Sequence, residues 1–131
     1  MKKIITISDA LAAPVGPFSV ATSYANLIFV SGQTGQDPGT GKLVSHSVED
    51  QARQSLGNLM TAVKAAGGTS DTVLKVNCYL LTMDDFTAFN AVYKEFFSEG
   101  DFPARTCIAV SALPLGAKVE VEATAFRAAP Q

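Results

Sequence analysis

What this chain has least of is histidine. Only His46 stands among its 131 residues, so chemistry that needs two imidazoles, as a general acid and base or as neighbouring metal ligands, has no basis here. Cysteine is almost as scarce. Cys78 and Cys107 lie far from each other and from His46 in sequence and form no ligand cluster. With no Asn-x-Ser/Thr acceptor present, they read as reduced thiols of a cytoplasmic protein. Long apolar runs are missing too: Lys2-Lys3 leads into Ile4-Ile5-Thr6-Ile7, but Ser8-Asp9 ends the run after four residues. That is too short for a signal segment or a membrane span. Nor is there a basic track. Ten Lys and Arg face twelve Asp and Glu, for a net charge of −2 and a pI near 5.2, which argues against a nucleic-acid partner.

What is present reads as one domain over residues 1–131, long enough to bury roughly 68% of its unfolded surface. Weak strands are expected at 3–7 and 18–22, on either side of the turn Pro14-Val15-Gly16-Pro17. A stronger one at 27–30 stops at Ser31-Gly32-Gln33. Val48, Ala52, Leu56, Leu59, Val63 and Ala66 form a single helical stripe. Ser47 with Asp50 opens it in the manner of a capping box, and Gly67-Gly68 closes it. An alternating strand at 73–81 puts Leu74, Val76, Cys78 and Leu80 on one apolar face. A second helix, capped by Asp84 or Asp85 and stopping at Gly100, buries Phe86, Phe89, Tyr93, Phe96 and Phe97. Strands at 104–112 and 118–127 close the chain. The string β-β-β-α-β-α-β-β predicts an α+β fold with a mostly antiparallel or mixed sheet. Two helices cover one face of it, and the apolar residues on the other face predict a homo-oligomer.

The chemistry-bearing residues sit on the last two strands. With a side-chain period of two, Arg105 and Cys107 share one face of theirs, and Glu120 and Glu122 share one face of the other. Such groups on short, half-apolar strands are costly unless something polar binds there. Arg105 is either the ion-pair partner of one of these glutamates or a bidentate receptor for a carboxylate. Cys107, beside Arg105, is a small buried hydrophobe or a site residue. No base accompanies it in sequence, so a positional role ranks above a covalent one. Glu120 and Glu122 stand about 7 Å apart along one strand. They cannot flank a sugar as glycosidase carboxylates do, whereas one of them can orient a water. Asn90 interrupts the aromatic stripe of the second helix, and its amide needs partners, structural or ligand. Gly35 to Leu43 has the wrong spacing for a phosphate loop and lacks the hydroxyl after Lys42, so a surface turn is expected.

Several blocks resemble the RidA/YjgF family, also labelled the L-PSP endoribonuclease family. They are Val15-Gly16-Pro17-Phe18, Val30-Ser31-Gly32-Gln33, Gln51 to Asn58, Phe86 to Phe97 with Asn90, Phe102-Pro103-Ala104-Arg105-Thr106-Cys107, and Val119-Glu120-Val121-Glu122-Ala123. They cover nearly the whole chain in the family's order. The resemblance implies a chorismate-mutase-like α+β fold and a homotrimer with clefts between subunits. It also implies cofactor-free, metal-free hydrolysis of reactive imines such as 2-iminopropanoate and 2-iminobutanoate to 2-oxo acids and ammonia. It assigns carboxylate binding to Arg105, water orientation to Glu120, and site positions to Cys107, Asn90 and Gly32. Phe18 departs from the pattern, since deaminase members commonly carry Tyr there. The phenol it lacks is an ordinary hydrogen bond of roughly 0.5–1.5 kcal/mol. Two other readings follow from the family label and from Phe18: an endoribonuclease acting on single-stranded RNA, and a non-catalytic trimer that binds small acids.

Overall fold

In the computed structural model, which describes residues 1–127, two helices pack against one face of a six-stranded sheet. The last four residues of the span read as one domain lie outside the described residues. The strands are β1 (Ile4–Thr6), β2 (Ala21–Tyr24), β3 (Leu27–Thr34), β4 (Val73–Leu80), β5 (Ala104–Ala109) and β6 (Val119–Phe126). The helices are α1 (Val48–Ala65) and α2 (Phe86–Tyr93). The sheet order is β1-β2-β3-β6-β4-β5, antiparallel throughout except for the parallel pair β4 and β5. This is the α+β architecture and mixed sheet expected from the element string.

The helix α1 forms where its stripe and caps place it. The Ser47 side chain accepts from the Asp50 amide, and all six stripe residues are buried. At the far end Gly67 adopts a φ of 101° while the Gly68 amide donates to the Val63 carbonyl and the Gly67 amide to Lys64. That is the left-handed exit in which glycine avoids a Cβ clash. Leu56, Leu59 and Val63 are fully buried, and each contributes about 1.5–3 kcal/mol.

Several boundaries differ from expectation, each for a local reason. Residues 18–20 are not strand: β2 starts at Ala21, and the preceding carbonyls of Ser19 and Val20 accept instead from the Ser31 hydroxyl and amide. The strand β3 runs on through Ser31-Gly32-Gln33 because a register shift between Val30 and Gln33 lets it keep pairing with β6. A second shift, between Val73 and Lys75, buries Val73 and leaves Leu74 exposed. The N-cap of the second helix is Asp85, one of the two expected, but its side chain makes no capping bond. The Thr82 side chain instead accepts from the Asp84 amide in the tight turn leading into the helix, which leaves α geometry at Lys94, where bonds from Glu95 to Val92 and Phe96 to Tyr93 tighten the turn. Of its aromatic stripe Phe89, Tyr93 and Phe97 are buried as expected, while Phe86 and Phe96 are only half-buried against the core. The strand β5 stops at Ala109 because its partner β4 ends at Leu80. Gly35 to Leu43 is a surface turn, with a bridge between Gln36 and Leu43 and the Asp37 carboxylate accepting from the Gly39 and Thr40 amides.

Alternation then decides what each sheet face presents. Ile28, Val30, Val76, Cys78, Leu80, Val119 and Val121 point under the helices and are buried. Tyr24, Leu27, Phe29, Ile108 and Phe126 lie on the uncovered face, where they are between 37% and 54% exposed.

Candidate active site

One cluster of polar side chains sits at the β5 edge, under α2. Register places Arg105 beside Val76 and Cys107 beside Cys78, so both point to the helix side of the sheet. There Arg105 Nη1 donates to Asn90 Oδ1 at 2.7 Å. The guanidinium carbon lies 4.7 Å from the Tyr93 ring centre and 5.6 Å from that of Phe86, within cation–π reach. These contacts fix the guanidinium without neutralising it. The sole ion pair among the described residues joins Arg53 to Glu95, so the expected alternative of an Arg105 bond to Glu120 or Glu122 is not realised. A cleft of about 320 Å³ opens over the group, lined by Asn90, Tyr93, Lys94, Phe102, Pro103 and Arg105. Burial pushes the Cys107 thiol up against the opposing pull of Arg105, and pushes that of the buried Cys78 to about 12. Neither sulfur is an activated nucleophile. The buried Tyr93 hydroxyl has no partner among the described residues, and burial raises its titration above the phenolic norm.

The second cluster lies on the other face. Glu120 and Glu122 point away from the buried Val119 and Val121. They line a cleft of about 390 Å³ with Val15, Phe18, Ser31, Gly32, Thr34, Gln36, Pro114 and Leu115. Gly32 is needed for close approach: a Cβ there would lie 2.9 Å from Glu120 Cδ. Burial, and then the charge of Glu122, raise the Glu120 carboxyl above the usual carboxylate range. Glu122 accepts from Tyr79 Oη and, at 3.3 Å, from Asn77 Nδ2. The Ser31 hydroxyl holds the Ser19 carbonyl at 2.6 Å and so anchors the loop that carries Phe18.

The expected site residues therefore fall into two sets. Arg105, Cys107 and Asn90 meet on the helix side of an edge strand, whereas Phe18, Gly32 and Glu120 meet on the uncovered face. A layer of sheet backbone separates them, so one small molecule cannot touch both sets in one copy of the chain.

Other contributors escaped the sequence reading. Gln51 is buried, donates to the Ser45 carbonyl at 2.9 Å and accepts from the Lys118 amide at 2.8 Å, which fixes the entry to β6 two residues before Glu120. Asn58 donates to the carbonyls of Thr34 and Gln36, locking the end of β3. Their signal was polar side chains at Gln51, Ser55 and Asn58, spaced i, i+4, i+7 along an apolar helix. Gly35 allows that contact, since a Cβ on it would lie 2.8 Å from Gln51 Cα. Tyr79 and Asn77 were hidden because strand alternation says nothing about which strand lies alongside. Among the described residues no three His, Cys, Asp or Glu side chains gather as metal ligands.

Comparison with known proteins places this geometry. The family model described as endoribonuclease L-PSP matches residues 8–127. The chain belongs to that family, which is also the YjgF/RidA family. The 2-iminobutanoate/2-iminopropanoate deaminase of Mus musculus is 42% identical over 127 residues, covering 97% of this chain and 93% of that protein. A RutC family protein of Pyrococcus horikoshii is 41% identical, with 97% and 99% covered. Among solved structures, E. coli TdcF with bound serine superposes with a TM-score of 0.89 at 35% identity, covering 95% of this chain and 99% of that one. RidA from an Antarctic Psychrobacter gives 0.89 at 36%, covering 94% and 98%. The YjgF/RidA assignment thus rests on the whole fold and not on one motif.

Proposed function

We propose that the protein hydrolyses 2-imino acids, 2-iminopropanoate and 2-iminobutanoate among them, to 2-oxo acids and ammonia. The observation that carries this reading is Arg105: a guanidinium held by an amide oxygen and two rings and paired with no carboxylate among the described residues. That arrangement is a receptor waiting for one. It is supported by relatives near 40% identity that are named 2-iminobutanoate/2-iminopropanoate deaminase.

The working cleft forms between copies of the chain. The β5 edge of one copy brings Arg105, Asn90 and Cys107 against the uncovered face of the next, which supplies Phe18, Gly32 and Glu120. A contact between two different surfaces forms a ring where its rotation closes, and a homotrimer of chorismate-mutase-like domains is such a ring. It also covers the apolar residues that the helices leave exposed.

Within that cleft Arg105 anchors the substrate carboxylate. Glu120 takes a proton from water as the water oxygen bonds to the imine carbon, and passes that proton to nitrogen, which gives a carbinolamine. Glu120 then takes the hydroxyl proton and returns it to nitrogen as the carbonyl forms and the C–N bond breaks, so that ammonia leaves. One positioned acid/base contributes about 10²–10⁴-fold. That is enough for imines, which already hydrolyse in water, and neither metal nor nucleotide takes part. RNA cleavage is the weaker reading, since the one histidine is exposed in the loop before α1 and the chain carries no basic track for a phosphate backbone.

The test generates imines with an amino-acid oxidase in the presence of semicarbazide and follows semicarbazone formation. Suppression by the native protein and not by Arg105→Ala is expected. A correctly assembled native protein without effect overturns the deaminase reading in favour of a non-catalytic small-acid binder.

A further inference from the structure

Two identical carboxyl groups stand two residues apart on the uncovered face of β6, in very different surroundings. Glu122 accepts from the Tyr79 hydroxyl and the Asn77 amide. Glu120 accepts no hydrogen bond from the described residues and packs instead over the bare backbone of Gly32. We propose that Tyr79 and Asn77 pin Glu122 beside Glu120 so that Glu120 alone of the pair exchanges protons in the cleft. The inference deepens the deaminase reading and rests on it for the identity of the proton's destination.

Like charges on one face cannot both be held cheaply, and hydrogen bonds to the charged form decide which of two carboxyls keeps its charge. Both donors here go to Glu122. They come from β4, whose register sets Asn77 opposite Glu122 and Tyr79 opposite Glu120, so Tyr79 leans along its strand to reach the diagonal neighbour. The bond to Glu122 is the main cause that lifts the Tyr79 phenol to about 12, which keeps it a proton donor throughout the neutral range. Glu120 is left raised by burial and by the Glu122 charge.

The groups that face Glu120 are few. Glu122 shares its strand, with Lys118 just before it, and β4 contributes Tyr79 and, further along the same face, Lys75. The neighbouring stretch of β3, Ser31 to Thr34, and the lip at Pro114 and Leu115 carry nothing ionisable. Arg105 of a second copy would add one positive charge to native and variant alike. Tyr79 and Glu122 are therefore positioning residues, acting through Glu120.

The experiment is a ¹³C titration of protein labelled at the glutamate side-chain carboxyls, with the Glu120 line identified by its loss in Glu120→Gln. In Glu122→Gln, which keeps shape and removes charge, the Glu120 midpoint is expected to fall by about half a unit to one unit. That is the effect of a unit charge about 7 Å away in a partly aqueous medium. Tyr79→Phe should shift it the same way by less, as the unpinned carboxylate swings towards water. The acid limb of kcat/KM for 2-iminobutanoate should move down with it. An unmoved Glu120 midpoint in Glu122→Gln overturns the inference whatever the activity, and an unmoved one in Tyr79→Phe overturns the part given to Tyr79. A moved midpoint in a protein that hydrolyses no imine upholds the pinning and overturns the deaminase reading instead.

Discussion

Replacing Asn90 by Asp separates a receptor for substrate from a purely structural amide. Asn90 Oδ1 accepts from Arg105 Nη1 at 2.7 Å, and Asp offers an oxygen at the same place. If Asn90 only holds the arginine still, Asp should serve as well or better, since a charged acceptor strengthens the bond. If the guanidinium must stay un-neutralised for an incoming carboxylate, Asp fills the receptor from within. Two unit charges about 4 Å apart interact by about 4 kcal/mol at an effective dielectric near 20. Arg105 is only half-buried, so solvent reduces this, and a net penalty of about 2–3 kcal/mol is expected for binding a 2-oxo acid. That corresponds to roughly 30- to 150-fold in Kd. Asn90→Ala removes one bond and adds no charge. The rings of Tyr93 and Phe86 still hold the guanidinium, water replaces the lost acceptor, and the loss should be about 1 kcal/mol, or roughly fivefold. Calorimetric titration of 2-oxobutanoate into the three proteins gives the order native, Ala, Asp. Binding by Asn90→Asp as tight as native refutes the receptor argument.

Two further outcomes follow from the packing. Gly32→Ala puts a methyl group where the Glu120 carboxylate lies. The carboxylate is the mobile end of a side chain, so thermal stability should change by less than about 1 kcal/mol while kcat for imine hydrolysis falls roughly 10- to 100-fold; unchanged kcat would mean that Glu120 is not placed by that contact. Both thiols are raised by burial, so each is protonated at pH 7.5 and gains nucleophilicity only as pH rises. Disulfide reagents should react slowly with the folded protein, faster towards alkaline pH, and Cys107→Ala should keep imine turnover within about tenfold of native. A loss of more than a hundredfold would restore a covalent role for Cys107.

The sequence was most legible where a single period governed a long segment. The α1 stripe, its Ser47 cap and its Gly67 exit could be read because each depends on residues within one or two turns of each other. Boundaries failed where a neighbouring strand overruled the local pattern. Leu74 belongs to the apolar set by alternation, but the shift between Val73 and Lys75 exchanges it for Val73. Gly32 and Gln33 have no strand propensity, yet they continue β3 because β6 supplies hydrogen-bond partners across an irregularity.

The site posed a different problem. Arg105 and Glu120 lie fifteen residues apart and alternate cleanly on their own strands, so the sequence says which neighbours share a face but not whether the two faces coincide. That is settled by β4, which lies between β5 and β6 in the sheet. It turns Arg105 to the side of Val76 and Cys78, and Glu120 to the side of Asn77 and Tyr79. The ion pair that sequence proximity suggested is thereby forbidden, and the consequence is chemical. An arginine paired with its own glutamate would be satisfied and inert. Because the sheet keeps them apart, neither can pair with the other, and under the proposed function a second copy of the chain and a small acid would complete the site together.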